Sequence, residues 1–455
     1  MKDMDRKNGI TEGIIWQQIL LFFFPILIGT FFQQLYNTAD AVIVGRFVGK
    51  QALAAVGTTS TMINLLIDFF VGISTGATVI ISRFFGAKDW TRLSKAVHTA
   101  AAMAFIGGIV LTAAGIGTAR PVLLLLETPE RVIEDAELYL YVYYISLTAS
   151  LFYNMCTGIL RAVGDSKTPL YILMVCCGAN IFLDLLFVAV CRWGICGAAL
   201  ATALSQILSA FLVGYCLIRT EEPYGLQIKQ IRMDKPLLKE MLRIGMPTGL
   251  QSVLYSLSYL VVQAGVNVLG MESIAAWAAV GRLDGFIWLV MKAFGISITT
   301  FTSQNFGAQH FTRVKKGTMV CLLMTMGAIG MLSMLLLVFA KPLLGLFTDD
   351  NDVLMIGKTF LWTMGPFYCV FVFVEIFSRT IQGGGEALLP MLINCFGTCV
   401  LRTLWVALIV PLAPSARLLA LGYPITWAIP AVIFIVYYCR MNWLKRCINR
   451  MGDAG

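Results

Sequence analysis

The sequence predicts an all-α integral membrane protein of twelve transmembrane helices, arranged as two six-helix lobes in parallel tandem repeat. Three observations predict it. The 455 residues are 58% hydrophobic and only 13% charged, with a mean hydropathy of +0.80, which leaves too little polar surface for a chain of this size to dissolve. Apolar runs of the ~20 residues that a helical span needs recur along nearly the whole length. Finally, segments 221 residues apart repeat one another.

The apolar runs fall at 14–44, 52–82, 95–119, 132–158, 168–190, 194–218, 241–269, 273–303, 315–339, 356–382, 387–410 and 416–440. They are continuous stretches of Leu, Ile, Val, Phe and Gly, unlike the alternating segments of a membrane β-barrel, so helices are expected. The first 13 residues are polar and too short for a cleavable signal peptide, so the first span is expected to guide its own insertion. Numbering the loops alternately puts 23 Lys/Arg on the side of the N-terminus and eight on the other, with Arg282, Lys292 and Arg402 inside spans. Positive loops stay inside. A multi-pass plasma-membrane protein with both termini cytoplasmic follows, and the net charge of +9 encodes topology instead of a nucleic-acid surface.

Phe85-Gly-Ala-Lys-Asp-Trp-Thr-Arg-Leu-Ser-Lys95 and Phe306-Gly-Ala-Gln-His-Phe-Thr-Arg-Val-Lys-Lys316 are identical at 6 of 11 positions. Pro121 meets Pro342 and Pro169 meets Pro390 at the same 221-residue offset, and Pro25 meets Pro247 within one residue of it. Such spacing means internal duplication. With the polar stretch 220–240 as linker, residues 1–219 and 241–455 form the two lobes, the second ending in a cytoplasmic tail. Six spans is an even number, so the repeat is parallel, with a site expected between or within the halves.

Several classes of function are excluded. No HExxH or P-loop occurs, which removes the zinc-protease and ATP-driven readings, and the one GxSxG string, Gly72-Ile-Ser-Thr-Gly76, lies inside an apolar run, not at the strand-to-helix turn that a hydrolase nucleophile needs. Twelve cysteines lie scattered with no CxxC, and only His98 and His310 offer imidazoles, so neither a disulfide framework nor a resident metal is expected.

Polar residues inside spans need a reason, because a charged side chain at the bilayer centre costs about 2.5–3.5 kcal/mol on insertion scales. Gln33, Tyr36, Asn37 and Asp40 follow an i, i+3, i+4, i+7 spacing and share one helical face. That stripe lines either a helix–helix seam or a watery cavity. Asn180 and Asp184 share a face of span five, with Asp184 roughly 24 Å from its cytoplasmic start at 1.5 Å per residue. Asp40, Tyr139 and Thr202 fall at comparable depth. Two carboxylates sharing a poorly hydrated site require a balancing cation, and hard oxygens suit H⁺ or Na⁺. Pro25 bends span one as a fixed kink or as a hinge. The second lobe differs: span seven has Gln251, Tyr255, Tyr259 and Gln263 but no acid. Glu375 sits 221 residues after Asn154 and has either Lys292 or Arg379 within reach, and Arg402 is a further base inside a span. Asp68 with Asn64 in span two lines a cavity or makes a structural contact.

At these residues the chain resembles the multidrug and toxic compound extrusion (MATE) family. The resemblance rests on Pro25 through Asp40, Gly72-Ile-Ser-Thr-Gly76, Ser82-Arg-Phe-Phe-Gly-Ala87, Gly158-Ile-Leu-Arg-Ala-Val-Gly-Asp-Ser-Lys-Thr-Pro169, Asn180-x-x-x-Asp184 and Gly197-Ala-Ala-Leu-Ala-Thr202. The family implies a V-shaped pair of lobes and a secondary antiporter, not an enzyme, that exports small amphipathic, often cationic, compounds against H⁺ or Na⁺ without any cofactor. It further implies a first-lobe cation site at Asp40, Asn180, Asp184 and Thr202 with Tyr139 beside them, as in the first-lobe-coupled (DinF-like) branch. Gln33, Tyr36, Asn37, Asn154, Gln251, Tyr255, Lys292, Glu375 and Arg402 would line the substrate path, with lipid around a protein working as a monomer. Lys292 and Arg402 allow anionic or zwitterionic cargo. The competing readings are a lipid-linked precursor flippase of the same superfamily, a passive channel and a membrane-embedded enzyme.

Overall fold

The computed structural model describes residues 10–125, 128–440 and 442–452; Lys2, Arg6 and Lys7 of the charge count lie outside them. The described residues are almost wholly helical. The twelve long elements are α1 Ile15–Phe47, α2 Lys50–Gly86, α3 Trp90–Leu125, α4 Glu130–Ala162, α5 Lys167–Val190, α6 Gly194–Arg219, α7 Lys235–Val268, α8 Met271–Gly307, α9 Phe311–Val338, α10 Asn351–Gly383, α11 Leu388–Leu412 and α12 Ala416–Cys439. A short helix, α13 Asn442–Gly452, follows.

Among the described residues, ten of these helices are long and apolar enough to cross a membrane. The two exceptions, α4 and α7, have local reasons. α4 packs against α2, α3 and α6 at once, and Leu140, Leu147, Leu151 and Met155 are fully buried. A helix packed against three neighbours needs little lipid-compatible surface, so it can carry Tyr139, Tyr141, Tyr143 and Tyr144. α7 opens on the basic stretch Lys235–Arg243 and then buries the polar side chains of Gln251 and Ser258.

The duplication is visible in the backbone. Lys88 and Gln309, 221 residues apart, both adopt left-handed conformations, with φ of 57° and 58°. Each stands after the same Phe-Gly-Ala turn, closed by Lys88 N–H to Phe85 O in one copy and Gln309 N–H to Phe306 O in the other, both 3.1 Å. Gly49 and Gly270 repeat at the same offset with φ of 116° and 100°, and so do Gly164 and Gly385 with 93° and 95°. Side chains rarely tolerate those values.

Two compact units result: Phe24–Gly249, and Met1–Phe23 together with Leu250–Gly455. The expected boundaries at 219 and 241 both fall inside the first, and the divisions lie beside prolines, within α1 at Pro25 and within α7 at Pro247. In the first unit a glycine crossing explains the capture of α7's opening half. Cβ atoms added at Gly72 and Gly76 of α2 would collide with backbone at Gly249 and Met241, so the Gly72/Gly76 and Gly245/Gly249 pairs let two backbones touch. Arg83 adds an ion pair to Glu240 at 3.0 Å. The linker is pinned to α3, with Gln227 N–H donating to His98 Nε2 at 3.0 Å and Asp234 N–H to Thr99 Oγ1 at 3.2 Å.

In the second unit the chain before Phe24 is held by its own set of contacts. Arg313 donates to the carbonyls of Gly13 and Glu12 at 2.8 and 2.6 Å, and Asn305 Nδ2 to that of Ile10 at 3.2 Å. Phe23 stacks on Phe294 at 4.0 Å.

Candidate functional site

Within the Phe24–Gly249 unit, α1, α4, α5 and α6 bring one set of polar side chains together. Asn180 and Asp184 are completely buried, Thr202 and Tyr139 nearly so, and Asp40 is 8% exposed. Among the described residues, no hydrogen bond reaches Asp40 Oδ1, either oxygen of Asp184, either polar atom of the Asn180 amide, or Thr202 Oγ1. Asp184 interacts electrostatically with Asp40, and the hydroxyls of Tyr36 and Tyr139 lie beside Thr202. Folded proteins satisfy the great majority of such atoms. Six orphans lie in one place, five of them oxygens of the kind that hard cations accept as ligands.

Local structure supports this placement. Asp184 is the last residue of the regular part of α5; Leu185–Val190 continues as a wide π-helical turn. Such turns occur frequently at functional sites and leave side chains off the regular helical ladder. Tyr139 stacks on Tyr143 at 6.4 Å between ring centres, which fixes its ring.

Next to the orphan set lies a cavity of about 160 Å³. Gln33, Tyr36 and Asn37 line it from α1, Asn64 and Asp68 from α2, Asn154 from α4 and Asn180 from α5. Of the two roles that the stripe on α1 allows, cavity lining is the one that the structure assigns to these three residues. Asn180 belongs both to the lining and to the orphan set, so it joins the two. Asn154 donates to Ser150 O at 2.9 Å and uses its amide locally.

The second unit holds a larger cavity, about 340 Å³, lined by Tyr255, Trp277, Asp284, Trp288, Arg402, Tyr423 and Trp427 among others. Gln251 Nε2 donates to the Tyr255 hydroxyl at 3.2 Å. Arg379 pairs with Glu375 at 2.8 Å one helical turn away, and Gly295 leaves the room that Glu375 occupies, since a Cβ there would meet its carboxylate at 2.5 Å. Neither Glu375 nor Lys292 belongs to either cavity lining. Asp284 is a site residue that spacing and depth do not single out. An acid in the interior of an apolar helix is the available signal, but Arg282 two residues away makes the neighbourhood read as a polar patch.

A polytopic helical protein with an internal duplication, a cavity in each unit and a buried set of unpartnered oxygens has the features of a carrier that moves small solutes across a membrane. The chain belongs to the MatE family, whose model matches residues 25–186 and again 247–408. It is 30% identical over 446 residues to the probable multidrug resistance protein YoeA of Bacillus subtilis, covering 96% of each chain. It is also 25% identical over 401 residues to the FAD transporter of Shewanella oneidensis, covering 87% of each. Among solved structures, a MATE transporter in a bent conformation matches with a TM-score of 0.90 at 21% identity, over 98% of this chain and 99% of that one. A MOP superfamily transporter from Pyrococcus furiosus, described as having a binding pocket of reverse polarity, matches with 0.89 at 22% identity, over 96% and 98%. Those likenesses concern the fold. Family and architecture together define a secondary active efflux transporter, not an enzyme, and do not favour the flippase reading.

Proposed function

We propose that this protein exports small amphipathic compounds from the cytoplasm, multidrug compounds as named for its relatives included, in exchange for H⁺ or Na⁺ bound at Asp40, Asn180, Asp184 and Thr202. The proposal follows the first-lobe-coupled branch of the family and puts the chain in the plasma membrane with both termini cytoplasmic. The carrying observation is the set of six buried polar atoms without partners. Desolvated carboxylates are stable only with a proton or cation among them. A site that must be filled in one state and emptied in another converts an ion gradient into work. One charge crossing roughly 100 mV contributes about 2.3 kcal/mol, enough to hold roughly a fifty-fold substrate gradient.

The residues have separate tasks. Asp40 and Asp184 take up the ion, Thr202 and Asn180 supply neutral oxygens, and the Tyr139 ring closes the site from water. Asn180 communicates occupancy to the neighbouring cavity, whose lining Gln33, Tyr36, Asn37 and Asn154 offer hydrogen bonds to cargo. Pro25 acts as the hinge, letting the segment that carries Asp40 move as the ion comes and goes. The test replaces Asp40 and Asp184 singly by Asn and measures efflux of a fluorescent cation from energised vesicles. Loss of efflux, by more than about tenfold in at least one variant, is expected; wild-type efflux by both would refute the assignment.

A further inference from the structure

The second-unit cavity is neither a packing void nor part of the orphan set. Protein interiors are packed to few voids larger than a water molecule, yet this one measures about 340 Å³, within the usual range of small-molecule sites. Genuinely empty cavities are apolar; this one carries a guanidinium and a carboxylate. Three of the chain's nine tryptophans line it, Trp277, Trp288 and Trp427, together with Tyr423. Trp288 and Trp427 stand 6.1 Å apart at 69°, and Tyr423 and Trp427 5.4 Å apart at 78°, so the walls offer flat faces at steep angles to one another.

The charged groups are preset but do not neutralise each other. Arg402 lies over the Tyr423 ring at 4.0 Å and near Trp427 at 5.9 Å, which holds the fork flat. Its Nε and Nη2 both donate to a single hydroxyl, Thr426 Oγ1, at 3.3 and 3.1 Å, so most of its donor capacity is unused. It stands between two π-helical segments of α11, Cys395–Leu401 and Trp405–Ile409. Across the cavity Asp284 feels the charge of Arg402, but no ion pair closes between these two residues. Asp284 Oδ1 and the Tyr368 hydroxyl are buried and close no hydrogen bond of ordinary length, although the Tyr368 hydroxyl and the Trp288 indole both lie beside the Asp284 carboxylate.

We infer that this cavity is a cargo subsite for flat aromatic carboxylates that also carry a ring N–H, whose oxyanion docks on Arg402 and whose N–H donates to Asp284 while the ring lies among Trp277, Trp288, Trp427 and Tyr423. The inference rests on the export reading for its biological use, but its recognition chemistry needs no gradient. Charge-assisted bonds from a planar fork to a carboxylate are strong and directional. A buried acceptor left unpaired penalises any ligand that lacks the donor. A cation without an oxyanion would leave Arg402 unanswered.

The test is titration calorimetry on the purified full-length protein with 4-oxo-1H-quinoline-2-carboxylate, its methyl ester and its N-methyl acid. The wild type is expected to bind the acid about tenfold tighter than the ester, as a charge-assisted pair implies, and tighter than the N-methyl acid. Arg402→Gln should erase the first preference, and Asp284→Asn the second. Arg402→Lys keeps the charge but not the fork and should reduce the first preference without removing it, which guards against a glutamine variant that misfolds. Equal binding of acid and ester by the wild type, absence of acid binding, or a preference that survives in all three variants overturns the inference. Asp40→Asn and Asp184→Asn protein should bind the acid as the wild type does, so failure of the ion-coupling assignment leaves this result untouched.

Discussion

A carboxylate or amide inside an apolar helix has few reasons to be there, and that scarcity makes Asp40, Asn180 and Asp184 legible as a group from the sequence alone. Their burial without partners adds what spacing cannot: the protein does not satisfy these atoms itself. Replacing a buried polar group by an apolar one of similar shape is often neutral or stabilising. Asn180→Leu is therefore expected to leave the thermal midpoint of the purified protein unchanged or to raise it, by up to about 1 kcal/mol of stability, while gradient-driven transport is lost. A large fall in the midpoint would mean that Asn180 is structural. Asp284 shows the opposite limit of legibility. Its significance comes from Arg402, Tyr423 and Trp427, more than a hundred residues later in the chain, and no local pattern announces such company.

At the scale of elements, the twelve helices are legible because lipid leaves only one workable secondary structure for an uninterrupted apolar run. Two things are not. The π-helical turns after Asp184 and around Arg402 carry no sequence mark, since the same residues would sit as well in a regular helix. The Gly72-Ile-Ser-Thr-Gly76 motif is visible, yet its partner Gly245-x-x-x-Gly249 is not, because periodicity does not reveal which half of a helix a neighbour captures. The crossing makes a direct prediction. Gly76→Ala places a methyl against the Met241 carbonyl and should cost about 1–3 kcal/mol, as overpacking does; the measurement is thermal unfolding in detergent. Ala in place of Gly117, whose added Cβ meets nothing within 4 Å, should cost far less. Equal losses at both positions would remove the glycine crossing from the account.

At the scale of the whole molecule, duplication and topology are linked. Copies with an even number of spans must enter the membrane from the same side, so the turns at Lys88 and Gln309, alike in their left-handed φ, are expected on the same side of the membrane. The excess of Lys and Arg on that side argues that this face is cytoplasmic. Two natural cysteines probe it: Cys191, exposed just after α5, and Cys439, exposed at the end of α12. In single-cysteine variants of intact cells, a membrane-impermeant maleimide should label Cys191 and spare Cys439 until the cells are opened. The reverse labelling would invert the orientation and make the proposed direction of transport wrong. The two copies have also diverged in chemistry. The first unit holds paired acids without a base among its orphan oxygens, and the second a base and an acid in an aromatic cavity. In the proposed function, one duplicated scaffold thus offers an ion site beside a cargo-lining cavity in one copy and a further cargo subsite in the other.

The central claim is that a cation comes and goes at the Asp40–Asp184 pair, and infrared difference spectroscopy of the purified protein observes that event at the carboxyl groups themselves. Spectra recorded as the pH is raised, or as Na⁺ replaces a large inert cation, should show a carboxyl signal change that is present in the wild type. That change should be absent when both acids are Asn, and the cation that produces it is the coupling ion. A difference signal that persists unaltered in the double variant, or a wild type with no cation-dependent carboxyl signal at all, would contradict the account.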